Sequence, residues 1–321
     1  MRIACGGAAA APAGGAAGTF AAMPTTTRAP AARELGLLAV VVVWGVNFAV
    51  IKVPLEVLPP FVVNLARFVV SVAVLGALHV RQARARGVSL WATFRAGRWE
   101  VVGLGLLGIL VYQAGFIVGV DRVTAGMAAL LIASSPLWTA VSAHVLGVER
   151  LNAAGWAGTA VCLVGVVLVV VGRPGELGGD ALGVALMLGA ALAWGVYTTL
   201  SRPLLDRGAS ALGLTFWGVV VSFPGLVALA APELAAADWG GLDVWDGLAI
   251  VFSGGLSTGV AYGVWNASVQ AVGPSRTAAF SNLVPFVGIA AGAVLLGEPV
   301  RLLQVAGGVA IVAGVLVVRR S

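Results

Sequence analysis

Charge is what this sequence has least of. Only 10% of its 321 residues are Asp, Glu, Lys or Arg, while 60% are hydrophobic and the mean hydropathy is +1.02. A soluble domain carries about 25% charged residues, so neither one soluble globule nor two could be covered here. The same apolar excess excludes a disordered chain. Cysteine is nearly absent: Cys5 and Cys162 are the only two, too few for a disulfide scaffold. Histidine is as scarce, with His79 and His144 alone, and no zinc motif, nucleotide-binding loop or nucleophile elbow is readable. Neither a metal nor any other cofactor is expected. Strict alternation over about ten residues, the mark of a membrane strand, is missing too. What remains is an all-α polytopic membrane protein. Its net charge of +6 has to be read by position before a nucleic-acid partner is considered.

Residues 1–33 are mainly Ala, Gly, Pro and Thr, with no leucine. They hold too little apolar surface for a signal peptide, and the expectation is a disordered N-terminal tail, with Met23 as an alternative start. From Leu35 onward, apolar runs of about 17–25 residues recur, each able to cross roughly 30 Å of hydrocarbon. Ten are counted: 35–53, 60–80, 101–120, 125–146, 154–172, 181–200, 211–230, 247–269, 277–296 and 302–318. Pro59-Pro60, Arg173-Pro174-Gly175, Pro232 and Gly273-Pro274 mark breaks between them. With the N-terminus placed in the cytoplasm, 14 of the 19 basic residues fall on the inner side and 4 on the outer, Arg67 lying within a span. The positive-inside rule therefore predicts both termini cytoplasmic in the cell (inner) membrane. The basic balance is a topology signal, and no nucleic-acid partner is expected.

The two halves repeat each other. Trp44-Gly45-Val46 recurs as Trp194-Gly195-Val196, and at the same offset of 150 Asn47 meets Tyr197 and Lys52 meets Arg202. Later the offset is 149: Pro136 meets Pro285, Glu149 meets Glu298, Gly158 meets Gly307 and Gly165 meets Gly314. The expected organisation is a first five-helix repeat over 34–172 and a second over 173–321. An odd number of spans per repeat inserts the second upside down, and inverted repeats are the architecture of secondary transporters.

The residues that carry the repeat also carry a family resemblance. Segments 64–78, 129–150 and 279–304 resemble the EamA repeats of the drug/metabolite transporter superfamily. The closest matches are the Arg67-Phe68 pair, the mid-span Pro136 and Pro285, and Gly297-Glu298-Pro299. In the first repeat the expected Gly-Glu is instead Gly147-Val148-Glu149. The resemblance spans about residues 35–318. It implies ten helices, transport of small metabolites (often export of amino acids or related compounds), and a cavity built from spans 1, 3, 4, 6, 8 and 9.

Polar residues inside apolar spans are costly, so each asks for a reason. Arg67 costs about 2.5–3.5 kcal/mol at helix centre on insertion scales, and no Asp or Glu lies at comparable depth. Its partners are to be sought among backbone carbonyls, water, Asn64 one turn away, or an anionic ligand held bidentately. The alternative is that it snorkels outward or pins helix carbonyls. Asn47 and Tyr197 are repeat equivalents and face one central space, or else bond helix to helix. Gln113 in span three, with Tyr262, Trp265 and Asn266 in span eight, makes an aromatic-amide set fit for a small amphipathic solute. Ser135 and Trp138 flank Pro136, and Asn282 precedes Pro285. Paired helix breaks point to a transporter site and gate, although serines bonding back to the freed carbonyls would explain them equally. Gly255, Gly259 and Gly263 have packing spacing. Glu149 and Glu298 read as caps or gates, and His144 as a weak proton-relay candidate.

The expected function is a secondary transporter that moves a small metabolite by alternating access, with export favoured by resemblance. A lipid-modifying membrane enzyme and a non-transporting scaffold or sensor are the alternatives. The partners expected are a small-molecule substrate and membrane lipid, with a homodimer as the assembly to test.

Overall fold

The computed structural model describes residues 30–147, 152–171, 181–272, 277 and 280–320. Most of the expected tail, Glu149, and the turns at Arg173-Pro174-Gly175 and Gly273-Pro274 lie outside the described residues. The first helix begins at Pro30, inside the stretch read as tail.

Among the described residues all regular structure is helical. Seven helices are long and apolar enough to cross a membrane: α1 (Leu35–Leu55), α2 (Pro60–Arg86), α3 (Arg98–Arg122), α4 (Ala125–Val145), α6 (Ala181–Asp206), α7 (Ala211–Leu234) and α8 (Val244–Ala271). Three shorter apolar helices are α5 (Ala153–Val169), α9 (Val284–Leu296) and α10 (Leu302–Val317). Run nine of the sequence thus holds a helix shorter than its hydrophobic stretch. Proline is the reason in α9, which starts at Val284 with Pro285 in its first turn. A proline has no N–H to give to the preceding turn. Pro136 acts likewise in α4, where the helix stops at Ile132 and restarts at Ser135.

Contacts between the halves exchange under the repeat offset. Gly45 lies so close to α9 that a Cβ would come within 2.5 Å of the Val287 side chain. Its equivalent Gly195 lies as close to α4, within 2.8 Å of the Trp138 Cβ, and Trp138 is the equivalent of Val287 at offset 149. In the α5–α10 seam, Gly165 meets the Gly307 carbonyl and Gly314 meets that of Gly158. Each contact becomes the other when the halves are swapped.

Two helices depart from α geometry at matching places. Leu106–Val111 in α3 and Phe252–Val260 in α8 are wound as π-helix. Such segments hold one more residue per turn and so re-aim the side chains beyond them.

Carboxylates tie the helix ends. Glu298, just past α9, accepts from the Ala125 and Gly126 N–H groups at 2.7 and 3.0 Å, capping the start of α4. Glu233 at the end of α7 accepts from Phe61 N–H at 2.9 Å, capping α2. Two orphan N–H groups and a helix dipole are satisfied by one carboxylate in the first case. Glu298→Gln is therefore expected to cost about 1 kcal/mol and to lower the melting temperature in detergent by a few degrees. An unchanged melting temperature would remove the cap from the account.

Candidate functional site

Where α1, α2, α3, α4, α6, α8 and the start of α9 converge, they line a small cavity with about 50 Å³ of room for the centre of a water-sized sphere. Its apolar wall is an aromatic box. The two repeat tryptophans, Trp44 and Trp194, meet edge to face at 5.7 Å. Each also packs on a tyrosine of the other half: Trp44 edge to face on Tyr262 at 5.9 Å and Trp194 tilted on Tyr112 at 5.2 Å. Phe116 closes the box against Tyr112 and Phe48, both at 5.7 Å.

Arg67 supplies the charge. It is 1% exposed and lines this cavity. It neither snorkels nor pins helix carbonyls. Nη1 donates to Asn64 Oδ1 at 3.1 Å and to Gln113 Oε1 at 3.4 Å, and Nη2 donates to Thr258 Oγ1 at 3.0 Å. Its guanidinium carbon lies 5.9 Å from the Phe116 ring centroid, within cation–π range. Each acceptor is itself oriented. Gln113 turns its oxygen to Arg67 because its Nε2 donates to the Tyr262 hydroxyl at 2.9 Å. The Thr258 hydroxyl spends its hydrogen on the Ser253 carbonyl at 3.0 Å, leaving a lone pair for the guanidinium. Guanidinium has five N–H donors; three are assigned, and Nε has no partner among the described residues. The Nε–H and one Nη2–H remain, which suits a carboxylate or phosphate. No Asp or Glu is among the lining residues, so no protein charge competes with an incoming anion.

Around this pole other polar atoms lack protein partners among the described residues: Asn64 Nδ2, Asn47 Oδ1, and both side-chain polar atoms of Asn282. Buried polar atoms are seldom left so, and a solute with donors and acceptors would satisfy them.

Of the residues read as site candidates, Asn47, Arg67, Gln113, Ser135 and Tyr262 line the cavity. Ser135 does so with its hydroxyl already engaged. It donates to the Ile132 carbonyl at 2.6 Å, the group that Pro136 leaves without an N–H. Tyr197 and Asn266 lie outside the wall, where Asn266 Nδ2 donates to the Tyr197 hydroxyl at 2.9 Å and to Thr215 Oγ1 at 2.8 Å. Trp265 backs the box, 5.1 Å from Trp44 and 5.8 Å from Trp194. Trp138 is half-buried and donates to Ser134 Oγ at 3.2 Å. Asn282 is buried between the lining residues Ser281 and Val284. Pro285 stands at the α9 start and is not among the lining residues. Ser257 and Thr258 line the cavity without having been foreseen, since their neighbours read as packing glycines. The Ser257 carbonyl accepts from Trp44 Nε1 at 3.0 Å. His144 stands away from the cavity, edge to face with Trp156 at 5.5 Å.

The model of the EamA-like transporter family matches residues 33–171 and again 181–320. A "Probable amino-acid metabolite efflux pump" of Salmonella typhimurium is 29% identical over 89% of this chain and 94% of its own length. A "Probable terminal-alkyne amino-acid exporter" of Streptantibioticus cattleyicolor is 30% identical over 88% of this chain and 92% of its own. A crystal structure with 20% identity superposes at a TM-score of 0.65 over 89% of this chain and 97% of that one, a likeness of fold.

Proposed function

This chain belongs to the EamA-like transporter family, and on that premise we propose that it is a secondary carrier that exports a small amphipathic carboxylate, an amino acid or a close relative. A multi-pass membrane transporter, and not an enzyme, is what the family and the helices establish. The finer reading is a ten-helix carrier of two inverted five-helix repeats, both termini cytoplasmic in the inner membrane, with α5, α9 and α10 completing the count. The exchange of Gly45–Val287 with Gly195–Trp138, and of the seam contacts in α5 and α10, supports that inversion. Alternating access would rock the repeats about the aromatic box.

One observation carries the substrate class: a buried arginine with unspent donors, in an aromatic cavity with no acidic lining residue. The carboxylate would take Arg67, the ammonium the oxygens of Asn47 and Asn282, and the side chain the aromatic box. Two relatives named for amino-acid substrates support the same class.

The test is flux of a labelled amino-acid panel in proteoliposomes, with and without an imposed proton gradient. Proton-coupled carriers place an ionisable group in the membrane to take the proton, and the cavity here offers no Asp or Glu. Flux is therefore expected to be indifferent to the gradient and to rise when amino acid is present on the far side. Accumulation only under a gradient would overturn the carboxylate-free mechanism, and absence of flux for every amino acid would overturn the substrate class.

A further inference from the structure

A second cavity, of about 190 Å³, lies at the C-terminal end of α2, against the connecting helix Ala92–Ala96 and the α6–α7 turn. It shares no lining residue with the first. Its buried wall is His79, 5% exposed and stacked on Phe216 at 5.0 Å. Nε2 of His79 lies 2.9 Å from the Leu90 carbonyl, which can only accept, so Nε2 carries the hydrogen. Nδ1 of the neutral ring is then a lone pair, and no described group donates to it. Two guanidinium groups stand at the exposed side. Arg207 pairs with Glu100 at 2.9 Å, whereas among the described residues none pairs with Arg86. Between them Ser210 Oγ donates to Gln82 Oε1 at 2.7 Å, and Ser210 N–H to Thr93 Oγ1 at 3.4 Å.

The walls do not depend on an occupant. Trp217 Nε1 donates to the same Leu90 carbonyl at 3.1 Å, and Trp91 and Phe94 pack on Trp217 at 4.3 and 5.1 Å. The connecting segment beside it exposes Val88 and Trp91 next to Arg95, and the start of α3 exposes Trp99 next to Arg98. Exposed tryptophan next to arginine is the composition of a segment seated at the lipid headgroups.

We propose that this crevice binds the headgroup of an anionic phospholipid that carries a hydroxyl, of the phosphatidylglycerol type. The phosphate would lie against Arg86 and Arg207, and a headgroup hydroxyl would donate to His79 Nδ1. Basic pockets between membrane helices recognise headgroups in this way. Inorganic phosphate offers the anion alone, without acyl chains to meet the apolar rim.

The test is native mass spectrometry of the full chain extracted from vesicles of phosphatidylglycerol and phosphatidylcholine. Retained phosphatidylglycerol is expected in excess of its share of the vesicle, and Arg86→Gln is expected to cut that excess roughly fivefold. Phosphatidylethanol, with the same charge and no hydroxyl, is expected to be retained less than phosphatidylglycerol by wild type, a difference that His79→Phe removes. Equal retention by wild type and Arg86→Gln would overturn the site. Equal retention of the two anionic lipids by wild type would overturn the role of His79, and needs no variant to fold. Displacement of all lipid preference by inorganic phosphate would overturn the lipid as the occupant.

Discussion

Arg67→Met is expected to abolish transport while leaving the protein at least as stable as wild type. Two opposite effects lie behind this. The guanidinium is buried with neutral partners only, and a charge in such a place is held at a penalty of about 2.5–3.5 kcal/mol on insertion scales. Methionine removes that penalty at similar length, and Asn64, Gln113 and Thr258 can re-pair locally. A purely structural arginine would show the reverse, because deleting one member of a working buried network destabilises. For the substrate, losing two charge-assisted hydrogen bonds is worth about 3 kcal/mol, or roughly a hundredfold in apparent affinity. Arg67→Lys should keep a fraction of the flux, since it retains charge without the planar fork. Thermal melting beside counterflow measures both sides. Transport within threefold of wild type in Arg67→Met would remove the anion pole from the mechanism.

Trp265→Ala is expected to do the opposite: to damage the fold first and the transport only in consequence. The indole is 2% exposed and packs on both Trp44 and Trp194. Truncating a buried tryptophan costs about 3–5 kcal/mol, the cavity left behind included. Loss of soluble, monodisperse protein on extraction is the expected readout, with Trp265→Phe recovering most of it. Asn47→Ala, by contrast, removes a cavity-lining acceptor from the surface of the box and should impair flux in a protein that still melts normally. A Trp265→Ala variant with wild-type stability would move this residue out of the supporting layer.

What the sequence made legible was what acts through the backbone. Trp-Gly at offset 150, and Pro and Gly at offset 149, fix where helices approach or break, and the close approaches at Gly45, Gly195, Gly165 and Gly307 follow them. Helical spacing offered Asn64 among the partners of Arg67, and that bond is present. Rotation of a helix about its own axis was not readable, and this separates the residues that line the cavity from those behind it. Tyr197 and Asn266 sit on helices that reach the cavity but turn to each other, Asn266 also bonding Thr215. Thr258 was hidden for a related reason. The π-wound stretch of α8 shifts every later side chain off the 3.6-residue period, and a threonine between packing glycines becomes an arginine ligand. Ser135 shows the remaining ambiguity: a hydroxyl beside a proline reads alike as substrate contact or as repair of the helix, and here it repairs.

The seam between α5 and α10 bears on how such a chain can change over generations. Gly165 touches the Gly307 carbonyl, and Gly314 touches that of Gly158, so no side chain can be added on one strand of descent without room being made on the other. Two halves that began as copies are thereby prevented from drifting apart freely at these four positions. Elsewhere they have diverged: where the first half carries Arg67, the second carries Trp217. Asymmetry has accumulated at the cavity, while symmetry was held where the halves are joined.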